Sequence, residues 1–200
     1  MEVRERYHLM PFAEAVREMH FPSSPNALAK AAERMKFEEL FYVELHILRY
    51  SRKRSASLQG LVFPKIGQYF NNFFFKELPF ELTGAQKRVL HEIRDDMRTG
   101  RQMNRLLQGD VGCGKTMVAF MTMLMAVDNG CQAALMAPTE ILAEQHYATL
   151  SAWADHLGLK IRLLTGSTRA KERREIHEML ESGELNMLVG THALIEEDVK

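Results

Sequence analysis

The run LLQGDVGCGKTMVAF, Leu106 to Phe120, constrains this chain more than any other stretch. It contains Gly109-x-x-x-x-Gly114-Lys115-Thr116, set between a short apolar run and a helical pattern. Glycines at 109, 112 and 114 let backbone N–H groups converge with no Cβ in the way, and a helix starting there aims its positive end at the anion they hold. Lys115 can reach the β- and γ-phosphates of a nucleotide, and the Thr116 hydroxyl suits a Mg2+ ion carried by those phosphates. The whole segment from Gly109 to Thr116, with Asp110, Val111 and Cys113 contributing backbone, is the candidate nucleotide site. Such a cradle needs a strand before it and a helix after it, so the expected fold class is α/β.

The pattern after Phe80 agrees. A helical stretch from Gly84 to Arg98 comes first. Apolar runs then alternate with helical ones: RLLQG before Lys115 to Asp128, QAALMAP before Thr139 to His156, IRLLTG before Arg169 to Ser182, and NMLVG before Thr191 onward. This alternation predicts parallel strands joined by right-handed crossovers, with helices on both faces of the sheet. TMVAFMTMLMAV is apolar nearly all round, which predicts a core helix. Its Met117, Met121, Met123 and Met125 are expected to pack rather than to bind a metal.

Upstream the chain changes character. FAEAVREMH is amphipathic, and FPSSPN, with Pro22 and Pro25, reads as a turn or linker. Ala27 to Tyr50 is one long helical pattern with Asn26 as its expected N-cap. It closes in RYSRKR, where Arg49, Arg52, Lys53 and Arg54 are expected to complement the helix C-terminal dipole; a phosphate-contacting patch is the alternative. SASLQGLVFPKIGQ reads as a connector. Tyr69, Phe70, Phe73, Phe74 and Phe75 then form a cluster expected to dock on a neighbouring layer rather than stack bases. The organisation expected is a short leading piece over 1–26, a helical linker and connector over 27–80, and the α/β segment over 81–200.

Composition sets outer limits. At 46% hydrophobic and 26% charged, the chain is ordinary for a folded soluble protein. Lys plus Arg equals Asp plus Glu at 26 each, so no global basic field advertises nucleic acid, although a local basic face fits inside a neutral total. The two cysteines, Cys113 and Cys131, match neither a zinc site nor a CxxC pair and are expected to stay reduced. No apolar run approaches the roughly 20 residues needed to span a bilayer, and MEVRERYHLM has no apolar signal core. A cytoplasmic location is the expectation.

Topology gives three further loops a meaning, because ligands of an open parallel sheet bind beyond the carboxyl ends of its strands. APTE (Ala137 to Glu140), TGST (Thr165 to Thr168) and GTHA (Gly190 to Ala193) all fall at that edge. Singly, each is an N-cap, with Thr139, Thr168 and Thr191 as caps. Three in succession make a track for a polymer of phosphates, which is what a nucleic acid strand presents.

Together LPFELTGAQ, RLLQGDVGCGKT, MAPTEILAEQHY, LLTGST and VGTHALIEEDVK closely resemble the first motor domain of the RecG family of superfamily 2 ATP-dependent DNA helicases. HFPSSPNALAKAAERMKFEELF resembles the segment that joins the family's DNA-binding wedge domain to its motor, so the likeness covers nearly the whole chain. It implies the N-terminal part of a RecA-like P-loop domain over 81–200, preceded by the helical linker and the tail of a wedge-type domain over 1–26. It also implies that Thr83 and Gln86 read the adenine, that Lys115 and Thr116 serve catalysis, and that ATP with Mg2+ is the cofactor. Pro138, Thr139, Thr165, Gly166, Ser167, Thr191 and His192 match strand-contacting motifs. The implied partner is branched double-stranded DNA, such as replication forks and Holliday junctions in repair and recombination, with the intact protein a monomer.

Two departures qualify the match. Cys113 stands where the family usually has serine; nucleotide binding is expected to survive, and the thiol is a candidate for oxidation. The Asp-Glu carboxylates that the family places on a following strand are not found, and Glu196, Glu197 and Asp198 read as a solvated acidic run. The expectation is a piece of a larger motor that binds nucleotide weakly and does not hydrolyse it. The alternatives are an Mfd-type duplex translocase, or a binding module that keeps its nucleotide loop as a switch.

Overall fold

The computed structural model describes residues 3–57, 59–78 and 80–195. Glu196, Glu197 and Asp198 lie outside the described residues, as does the side chain of Arg54. The chain divides into two compact units, Met1–Leu58 and Gln59–Lys200.

The first unit holds three helices: α1 (Val3–Arg6), α2 (Phe12–His20) and α3 (Pro25–Ser57). Ala15 of α2 and Ala31 of α3 are fully buried, and such small side chains let two helices approach closely. Of the segment read as a turn or linker, Phe21 to Ser24 forms the turn between α2 and α3, whereas Pro25 and Asn26 already belong to α3. Ser24 Oγ accepts the Ala27 N–H at 3.1 Å, so Ser24 is the N-cap and Pro25 occupies the first helical position, where its missing N–H is not needed. Asn26, the expected cap, lies inside the helix. At the far end, α3 continues seven residues past Tyr50, because no Gly or Pro interrupts the pattern. Arg49, Arg52 and Lys53 therefore sit within the helix and not over its C-terminus at Tyr50. Between α2 and α3, Glu18 Oε2 accepts the Ser23 N–H at 2.7 Å and the Ser23 hydroxyl at 2.8 Å. These hydrogen bonds, backbone first, hold the Glu18 carboxyl below its ordinary value.

The second unit is built on a three-stranded parallel sheet of β1 (Ala133–Met136), β2 (Ile161–Leu164) and β3 (Met187–Gly190), in the order β1-β3-β2. Central β3 is buried along its whole length, as a strand covered on both faces must be. The strands end in register, with Met136 and Leu164 both opposite Gly190. Gly190 is required there: a Cβ at this position would overlap the Leu164 carbonyl oxygen.

Around the sheet run α5 (Gly84–Met97), α6 (Lys115–Asp128), α7 (Glu140–His156) and α8 (Ala170–Glu181). The expectation for α6 holds, since Met117, Met121, Met123 and Met125 are all buried with Val118, Phe120, Leu124 and Val127. RLLQG is a correction: the expected strand is absent, and Leu106 is 82% exposed. An isolated strand leaves its N–H and C=O groups without a ladder, and no described strand lies beside it. The expected helix after Thr191 is only a 3₁₀ turn, His192–Ile195, within the described residues.

Four members of the aromatic cluster dock as expected, Phe73 in the core with Tyr69, Phe70 and Phe74 packed against it, whereas Phe75 is 75% exposed. A short helix α4 (Gln68–Asn72) runs into a π-turn (Phe73–Glu77). Phe73 is fully buried and meets the Phe120 ring at 4.9 Å and the Trp153 ring at 5.5 Å. Asp128, at the end of α6, supplies the N-cap that α4 lacks in its own sequence. Its carboxylate accepts N–H groups from Gly67 at 3.0 Å, Tyr69 at 3.0 Å and Phe70 at 3.1 Å. Asn129 adds a two-way clamp on Lys65, accepting its N–H at 3.1 Å and donating to its carbonyl at 2.9 Å. The connector is thus fastened to the far end of the helix that carries the phosphate loop.

Candidate nucleotide and nucleic-acid site

Gly109 to Thr116 forms a loop that ends on Gly114, the N-cap of α6, at φ 85°. Gly114 is doubly constrained: that φ is left-handed, and a Cβ there would stand 2.6 Å from Gln86 Nε2. The exposed N-terminus of α6 leaves its first backbone N–H groups without helical partners, which is the anion-holding arrangement expected from the glycine spacing. Lys115 folds back over the loop, donating from Nζ to the Gly109 carbonyl at 2.6 Å and to the Asp110 carbonyl at 2.7 Å. Its ammonium thus lies over the loop's own carbonyls, from which a phosphate oxygen can draw it.

Thr83 and Gln86 join this site through α5. Thr83 is the N-cap, accepting the Gln86 N–H at 3.2 Å, and Gln86 Oε1 accepts the Thr83 N–H at 2.8 Å. This reciprocal capping box fixes the Gln86 side chain. The other end of the amide donates from Nε2 to the Cys113 carbonyl at 3.0 Å, which ties α5 to the phosphate loop. One amide proton and one lone pair of Gln86 remain for a ligand. Thr83, Gln86, Gly109, Asp110, Gly112, Cys113, Gly114 and Lys115 all line one cavity of about 570 Å³. Val111 does not join them; it is fully exposed at the loop tip. Thr116 lies one residue into α6, outside the lining. Sequence reading missed Phe80, Val89 and Leu107, which give this cavity its apolar wall; only the short apolar spacing around LTGAQ hinted at them.

The donor set fits a nucleotide-borne metal better than a resident one. No group of three metal-ligating side chains occurs among the described residues. Thr116 supplies a single hydroxyl, so a cation there would depend on phosphate oxygens for its remaining ligands.

The three loops predicted to form a strand track do meet along one edge. They follow β1, β2 and β3 at their carboxyl ends, with Thr191 N–H reaching the Leu164 carbonyl at 3.3 Å. Thr139 is the N-cap of α7, accepting the Leu142 N–H at 3.3 Å, and Pro138 beside it is exposed. Thr168 is not the cap of α8, a correction: its hydroxyl turns inward to accept the Thr165 N–H at 2.9 Å and closes the TGST turn, leaving Arg169 at the cap position. Thr165 Oγ1 lies 2.9 Å from Ser167 Oγ, and Gly166 is exposed between them. His192 is exposed at the start of the 3₁₀ turn. Glu140, which sequence reading treated only as the end of APTE, links two of these loops. Its carboxylate accepts the Ser167 N–H at 3.1 Å and the Ser167 hydroxyl at 3.0 Å.

Residues 83–200 match the family model described as DEAD/DEAH box helicase. Among curated relatives, the chain is 47% identical to the ATP-dependent DNA helicase RecG of Synechocystis sp., over 99% of this chain and 24% of the relative. It is 46% identical to the Streptococcus pneumoniae protein of the same name, over 98% of this chain and 29% of the relative. The chain therefore spans about a quarter of the length of the curated relatives it matches. A solved structure of RecG bound to a three-way DNA junction is similar to this one, with a TM-score of 0.86 and 42% identity over 98% of this chain and 27% of that one.

Proposed function

From a chain that belongs to the DEAD/DEAH box helicase family and resembles RecG over nearly its whole length, we propose a role in an ATP-dependent motor acting on branched DNA. The observation that carries the reading is the single sheet edge. The same unit presents a phosphate loop closed by Lys115 at the start of α6 and, at the sheet's carboxyl edge, three polar loops after β1, β2 and β3.

In this reading ATP lies in the cavity between α5 and the loop. Gln86 meets the adenine edge with its spare donor and acceptor, and Lys115 leaves the Gly109 and Asp110 carbonyls for the phosphates. Thr116 helps hold Mg2+, which when bound neutralises charge between the β- and γ-phosphates. Thr139, Thr165, Gly166, Ser167, Thr191 and His192, with Pro138 shaping the first turn, contact the sugar-phosphate backbone and carry no base readout. No helix among the described residues is long and apolar enough to cross a membrane, and the cytoplasm is the compartment that fits this work.

The 200-residue chain is expected to bind nucleotide weakly without turning ATP over, since Thr116 offers a metal a single hydroxyl and no group of three metal-ligating side chains occurs among the described residues. The test pairs two measurements on the full chain: anisotropy of a labelled three-way junction, and phosphate release from MgATP. Junction binding weakened several-fold by Thr139→Ala and by Thr165→Ala supports the track. Unchanged binding in both variants removes it. Phosphate release abolished by Lys115→Ala would overturn the expected lack of turnover.

A further inference from the structure

The strand track contains an acid where a phosphate would go. Ser167 is the residue of TGST with two donors aimed out of the turn, its N–H and its hydroxyl, and both end on Glu140. A carboxylate that accepts two hydrogen bonds from one residue presents the same two oxygens, and the same charge, as a backbone phosphate on that residue. Gly166 keeps the space open: a Cβ there would come within 3.3 Å of Glu140 Oε1. Glu140 is anchored by its position as the first residue of α7, where an acidic side chain is favoured by the helix dipole even when it lets go of Ser167. It can therefore leave Ser167 without losing its place in the fold.

We infer that Glu140 is a gate on the nucleic-acid track, its carboxylate standing in for a DNA backbone phosphate at Ser167 until a strand displaces it. The inference rests on the DNA reading above. A phosphate cannot use the Ser167 donors while Glu140 holds them, and it meets a like charge if it approaches with Glu140 in place. A strand docks fully only once the carboxylate has swung out. The gate sets how readily loops 137–140 and 165–168 accept DNA, and it acts through charge and donor competition without touching the nucleotide cavity.

The test is equilibrium binding of a fluorescein-labelled three-way DNA junction to the full chain, as a function of salt. Glu140→Gln keeps the shape and removes the charge. It is expected to tighten binding about fivefold, the size of one like-charge contact lifted at a solvent-exposed site. It is also expected to steepen the salt dependence, which a merely structural change would leave alone. Glu144→Gln, one turn further along α7 on an exposed side chain, controls for overall charge and is expected to give a smaller gain. In a double-mutant cycle, Ser167→Ala costs more affinity in the Glu140→Gln background than in the wild type, because in the wild type the hydroxyl must first give up its bond to the Glu140 carboxylate before it can serve DNA. Glu140→Ala, checked by thermal melting, repeats the test if the glutamine variant does not fold. Wild-type binding with equal or weaker binding in the Glu140 variants, or an additive cycle, overturns the gate and leaves the DNA reading standing. No junction binding by wild type or variants overturns both.

Discussion

Gln86→Glu separates two jobs that one side chain performs. Gln86 Oε1 caps α5 through the Thr83 N–H at 2.8 Å, while Nε2 donates to the Cys113 carbonyl at 3.0 Å. Glutamate preserves the first interaction, since it is an equally good partner in a capping box. It cannot make the second, and its carboxylate then faces a carbonyl oxygen across the same gap. The lost hydrogen bond accounts for about 1 kcal/mol. A new negative charge beside the phosphate loop adds about 1 kcal/mol, the size of a like-charge contact at about 4 Å in the dielectric of bulk water. The sum, about 2 kcal/mol, predicts MgADP affinity roughly 30-fold weaker with helix stability preserved. Gln86→Ala loses the reciprocal half of the capping box as well, with Thr83 still the N-cap, and is expected to destabilise the unit by a further ~1 kcal/mol. Calorimetric titration with MgADP alongside thermal melting reads both effects. Glutamate-variant affinity within twofold of wild type would refute the idea that Gln86 organises the loop.

Two other outcomes test the framework around the site. Asp128→Ala strips three N–H groups of a shared acceptor and is expected to cost about 2 kcal/mol, with Asp128→Asn intermediate, in urea unfolding; a loss under about 0.5 kcal/mol would mean that water replaces the carboxylate. For Glu18, the folded carboxyl is held below its ordinary 4.5. Its contribution is therefore complete above about pH 4.5 and is lost as pH falls through the lowered folded value. Acid titration of melting should show that Glu18→Gln lowers stability at neutral pH and flattens this acid-side decline. Parallel curves would contradict the assignment.

Much of the site was legible because its chemistry is local. Gly109 to Thr116 declares itself by glycine spacing, whereas Thr83 and Gln86 come only from the family resemblance, and the capping box that brings them to the loop shows in the structure. The core helix showed in its apolar run from Met117 to Val127, interrupted only by Thr122. What was hidden depends on partners far apart in sequence. The strand expected at RLLQG reads as well as the other three, yet pairing decides whether a strand forms, and no described strand lies beside it. Asp128 looks like an ordinary helix-end acid until α4, some 60 residues earlier, is laid against it. Glu140 reads as a favourable acid at a helix start, and only the fold brings it to Ser167. The start of α3 was misread for a nearer reason: Pro25 marks a first helical turn as readily as a linker, and Ser24 rather than Asn26 has the spacing to cap it.

The central claim is that Gly109 to Lys115 forms a working nucleotide cradle in this chain. The most direct measurement is calorimetric titration of the wild type and Lys115→Ala with MgADP. The account predicts saturable, one-site binding weakened at least tenfold by the substitution. Binding that is indifferent to Lys115, or wild-type protein that folds but takes up no MgADP, would contradict it.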